Sequence, residues 1–79
     1  MRIEGYDVDD RIVGEVMKMV RKQQGNFEAS HVVACCREAG MPEGARYRGA
    51  DRILQKMRKK GEIEFCRGGY WRVLQPASA

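Results

Sequence analysis

Residues 45 to 74, ARYRGADRILQKMRKKGEIEFCRGGYWRVL, contain a helix, a stop and a hairpin in immediate succession. Ala50, Ile53, Leu54 and Met57 fall at i, i+3, i+4 and i+7, the narrow apolar stripe of an amphipathic helix. Turned by about 100° per residue, Arg48, Arg52, Gln55 and Lys59 gather on the opposite side, with Lys56 on the flank. Gly61 ends the helix, and the period then changes to two. Ile63 and Phe65 point one way; Glu62, Glu64 and Cys66 point the other. Arg67-Gly68-Gly69 turns the chain, and Tyr70 to Leu74 returns with Trp71 and Val73 sharing a face, the pattern of a β-hairpin. Seven cations (Arg46, Arg48, Arg52, Lys56, Arg58, Lys59 and Lys60) crowd the helical part, against Asp51 as its one acid.

Two further helices precede this segment. Ile12, Val13, Val16, Met19 and Val20 recur at helical spacing, which predicts a first helix over Asp9 to Gln23. Asp7 is its expected N-cap, with Asp9 and Asp10 in the first turn, Arg21 and Lys22 in the last, and Gly25 as the stop. Asn26-Phe27-Glu28 is a short extended piece able to pair with a sheet elsewhere. A second helix is predicted over Ala29 to Ala39, with Val32, Val33 and Cys36 on its buried side and Gly40 beyond its end. Met41-Pro42-Glu43-Gly44 then makes a turn, because Pro42 cannot continue a helix interior.

Composition narrows the classes of function. The chain has 79 residues, 43% hydrophobic and 33% charged, which suits one small ordered domain. The net charge is +4, with 15 Lys and Arg against 11 Asp and Glu. It is unevenly placed: residues 1–30 carry five cations and six acids, residues 31–79 ten cations and five acids. A local excess of cations attracts phosphate through its field. No apolar run approaches the length of a membrane span. The opening MRIEGYDVDD lacks the apolar segment of a signal peptide, so a cytoplasmic location is expected. Three cysteines, two of them adjacent, do not make a disulfide framework.

Three segments carry a family resemblance: GNFEASHVV, a strand running into the second helix; RILQKMRKKGEIEF, the third helix running into a strand; and GGYWRV, the hairpin tip and its return strand. In this order they resemble the winged helix-turn-helix superfamily over about Asp9 to Leu74. The spacing L-x-x-M-x-x-x-G-x-I from Leu54 to Ile63 is common there, although packing alone accounts for it. The resemblance implies an α+β fold of three helices with a small antiparallel β-hairpin wing. Chain length and the element pattern give one domain over 1–79, ordered from about 7 to 74, with 75–79 a frayed tail. The resemblance implies double-stranded DNA as partner, with the third helix in the major groove and the wing on the backbone or minor groove. Carried over by position, Arg46, Tyr47, Arg48 and Arg52 lie near base edges or adjacent phosphates. Lys56 tracks a phosphate strand, Arg67 makes the wing contact, and Lys59 joins the DNA-binding set as part of the same basic face. Arg suits this task because its fork pairs bidentately with guanine or phosphate. Gly49 and Gly68-Gly69 would let the backbone approach a duplex closely. The turn from Gly40 to Ala45 is longer than in the simplest members, which leaves the start of the third helix open.

Other chemistries fit less well. Trp71 at hairpin spacing with Phe65 and Ile63 reads as core, and Tyr70 points away, so stacking on bases is not expected. His31 and Cys35 share a helix face, and Cys66 is a conceivable third ligand, but a fourth is lacking; no metal and no cofactor are expected. One His and scattered carboxylates give no acid, base or nucleophile constellation, so the chain is not expected to be an enzyme. Met17 and Met41 fill a core or mark a partner surface. The alternative function is a protein-interaction module that turns the same basic face toward an acidic partner. A homodimer stays open.

Overall fold

In the computed structural model, which describes residues 1–74, three helices are accompanied by two small antiparallel sheets. The frayed tail expected at 75–79 lies outside the described residues. The first sheet is a hairpin of β1 (Arg2–Ile3) and β2 (Tyr6–Asp7). Helix α1 spans Asp10–Arg21 and is followed by β3 (Asn26–Phe27) and α2 (Ala29–Glu38). A 3-10 turn at Glu43–Ala45 leads directly into α3 (Arg46–Lys59). The last elements among the described residues are β4 (Ile63–Cys66) and β5 (Tyr70–Val73). The second sheet has the order β3-β5-β4, so the short extended piece before α2 pairs with the return strand of the hairpin.

The stripe read from α3 is buried as expected: Ala50, Ile53, Leu54 and Met57 are all within 1% of complete burial. Each large aliphatic side chain so placed contributes roughly 1.5–3 kcal/mol. They meet Val13, Val16 and Val20 of α1, Val32 and Cys36 of α2, Phe27 of β3 and Ile63 of β4 in a single core. Met17 and Met41 belong to that core and mark no outer surface. On α2 the buried side is rotated from the expected one, with Cys35 buried and Val33 only half-buried. Burial pushes the Cys36 thiol up to about 11, and moves Cys35 in the same direction, so both stay protonated at neutral pH.

Three expectations are corrected here. Asp7 is not the N-cap of α1. It is paired with Arg2 in β2, and the buried Val8 intervenes before Asp9, whose carboxylate accepts the Arg11 N–H at 2.8 Å. Phe65 shares the inward face of the hairpin with Ile63 and Trp71, yet it is 57% exposed. It sits on edge strand β4, one residue pair from the turn. Gly49 does not face outward. A Cβ there would come within 2.6 Å of Met41 Sδ and 3.3 Å of Ile3 Cδ1, so the position serves close packing against the first hairpin.

That first hairpin has no counterpart in the sequence reading. Its two-residue turn, Glu4-Gly5, places both residues in the left-handed region (φ 48° and 81°), as a tight hairpin turn requires. Ile3 and Val8 anchor it in the core, and the Tyr6 ring lies over Gly44, where a Cβ would meet its hydroxyl at 2.7 Å. At the far end of the molecule Arg21 grips Glu62 with two hydrogen bonds, Nε–Oε1 at 2.8 Å and Nη2–Oε2 at 3.3 Å. This pair joins the last turn of α1 to the approach of β4, and the bond from Arg21 holds the Glu62 carboxyl below its ordinary range.

Candidate nucleic-acid interface

The side of α3 opposite the core stripe is exposed from Tyr47 to Lys59, apart from the half-buried Gln55. Because α3 begins at Arg46, the open question of its start is resolved in favour of an early one. Arg46 nevertheless does not join that side. It is half-buried, and its Nε donates to the Met41 carbonyl at 3.0 Å, closing the turn that precedes the helix. Tyr47 is 78% exposed and lines a shallow depression with Glu4, Gly44, Arg48 and Asp51.

Arg48 and Arg52 point outward, as the helical wheel requires, but each has a partner from the first hairpin. Arg48 Nε donates to Glu4 Oε1 at 3.0 Å, and Arg52 Nη1 donates to the Arg2 carbonyl at 3.1 Å. The Arg48–Glu4 pair is more than half exposed on both sides. An ion pair in that setting contributes about 0–1 kcal/mol, so a phosphate can take its place at little cost. The bond from Arg52 uses one of five donors, and the rest of the fork faces outward. Lys56 and Lys59 are exposed and, among the described residues, form no salt bridge. Arg67, in the turn between β4 and β5, is exposed as well. Two acids lie among these cations, Asp51 on α3 and Glu4 at the hairpin tip.

Two depressions flank the exposed side. One, of about 340 Å³, is a cationic cleft between Met1 and α3, lined by Asp51, Arg52, Gln55, Lys56 and Lys59. The other, of about 620 Å³, is an aromatic groove between the C-terminal half of α3 and the β4–β5 hairpin. Its walls include Gln55, Arg58, Ile63, Phe65 and Trp71. The Phe65 and Trp71 rings meet edge to face, with centroids 5.0 Å apart. Gln55 lines both depressions, which adjoin at that side chain. The aromatic groove was missed from the sequence because alternation put Phe65 and Trp71 on one face without showing where the core ends.

His31 is engaged locally: its Nδ1 accepts the Glu28 N–H at 2.9 Å at the start of α2. Among the described residues no three of His, Cys, Asp and Glu come together as a metal site, and no helix is long and apolar enough to cross a membrane. Compared with family models, curated proteins and solved structures, the chain matches none.

Proposed function

We propose that this chain is a winged-helix protein that binds double-stranded DNA, in the manner of a small transcriptional regulator. In this reading α3 enters the major groove and the β4–β5 hairpin acts as the wing on the backbone or minor groove. The order of helices and strands supports it, as does the pairing of β3 with β5, which closes a three-stranded sheet beside α2 and α3. One observation carries it furthest. Arg48, Arg52, Lys56 and Lys59 line a single exposed side of a helix whose other side is fully buried in the core. Such a helix is rigidly held and presents its cations in fixed register, which suits phosphates spaced along a duplex.

Arg52, Lys56 and Lys59 form the phosphate-contacting part in this reading, with Arg67 as a separate contact from the hairpin. Arg48 takes part once Glu4 yields it. Tyr47 borders the contact at the start of the helix, while Arg46 contributes through the turn it closes.

Titration of mixed-sequence duplex at a series of salt concentrations tests the reading. Saturable binding is expected, with log Kobs falling linearly against log salt by about 0.9 for each phosphate neutralised. Weak, unsaturable association with little salt dependence would contradict it and favour an acidic protein partner for the same face.

A further inference from the structure

The aromatic groove between α3 and the β4–β5 hairpin has no part in holding the fold together at its outer end. Phe65 is 57% exposed there, although an apolar ring of that size ordinarily seeks cover. Its neighbour Trp71 is 7% exposed and supplies the floor. A phosphate would meet mainly the apolar faces of Ile63, Phe65 and Trp71 in this groove, whose walls hold one cation, Arg58, against one carboxylate, Glu64. A planar, uncharged group with polar edges fits better.

The polar wall is also arranged. Arg58 Nη1 donates to Gln55 Oε1 at 3.0 Å, so the Gln55 amide nitrogen is left to donate elsewhere. Gln55 stands where the groove meets the cationic cleft of Arg52, Lys56 and Lys59. A ligand that spans both depressions therefore presents negative charge on one side and a flat apolar face on the other. Those are the two halves of a nucleotide.

We infer that this groove receives a single unpaired base of a DNA strand, stacked on Phe65 above Trp71, while that strand's phosphates lie on Arg52, Lys56 and Lys59. The inference rests on the DNA-binding reading above and narrows it: the preferred ligand is a duplex with an extruded or unpaired base. Stacking on an exposed aromatic ring tolerates any base, since each has a flat π-face. The groove thus confers a preference for DNA structure, separate from base-edge readout by α3.

The chain contains one tryptophan, so its emission reports on this groove alone. The experiment compares a blunt duplex, the same duplex with one central unpaired base, and that duplex with the unpaired base replaced by an abasic site. The unpaired base is expected to raise affinity about tenfold and to quench Trp71 emission, and the abasic site to abolish both effects. Phe65→Ala should bind all three duplexes alike and retain the salt dependence of the wild type, whereas Phe65→Tyr should keep the preference. Far-UV circular dichroism checks that both variants fold, as the exposure of Phe65 favours. Equal affinity for the three duplexes with unchanged emission would overturn the inference and leave duplex binding standing. Equal quenching by an acidic peptide, or by raising the protein concentration alone, would also overturn it. Absence of saturable binding to every duplex would remove the underlying reading and the inference together.

Discussion

Arg46 and Arg52 belong to the same helix but to different surfaces. Arg46 spends its Nε on the Met41 carbonyl, whereas Arg52 keeps most of its fork in solvent after one bond to the Arg2 carbonyl. Arg52→Ala should weaken duplex binding by about 1–3 kcal/mol and leave the melting temperature nearly unchanged. Arg46→Ala should do the reverse, lowering the melting temperature with a small effect on affinity. Fluorescence anisotropy and thermal melting on the two variants check this division; equal losses of affinity would contradict it. Nothing local in the sequence distinguishes these arginines by partner. Glu4 and the Arg2 carbonyl reach Arg48 and Arg52 from 44 and 50 positions away, a separation that no helical wheel records.

At the scale of elements, α3 is the part most legible in the sequence. Ala50, Ile53, Leu54 and Met57 fall on one face across about two helical turns, and all four are buried. Ile53→Ala should cost about 2–5 kcal/mol through the cavity it leaves, read as a shift in the denaturation midpoint. An unchanged midpoint would mean the stripe is not core. The β1–β2 hairpin was illegible for a physical reason. Its strands are two residues each, too short for a period, and Glu4 holds the turn position where Asn or Asp would give the usual signal. The Arg21–Glu62 pair, which ties α1 to the approach of β4, makes stability depend on pH. Its folded-state carboxyl lies below the ordinary Glu range, so the stabilisation is present above the unfolded value and is lost as pH falls through the folded one. Glu62→Gln should therefore be less stable than wild type at neutral pH, by a small amount for so exposed a pair, and should converge with it in acid. A gap that persists unchanged in acid, once the carboxyl is protonated in both states, would refute this linkage.

The whole molecule separates its surfaces by charge and by layer. Acids are concentrated in the first thirty residues, and most cations of the remainder are displayed on α3 and the hairpin turn. The first hairpin modifies this division, because it brings Glu4 to the edge of the basic side and walls one flank of α3. The cationic cleft and the aromatic groove share Gln55 as a wall, and only the first of them was readable from residue types and spacing. The second depends on how far the helical layer extends over the hairpin, which is a property of packing.

The most direct measurement is an amide NMR titration with a short mixed-sequence duplex, carried out at low and at high salt. Duplex docking on α3 should shift the amides around Arg48, Arg52, Lys56 and Lys59, together with Arg67 in the hairpin turn, and high salt should reverse those shifts. Shifts confined to α1 and α2, or none at a saturating duplex concentration, would contradict the central claim that the exposed basic side of α3 is a DNA-binding surface.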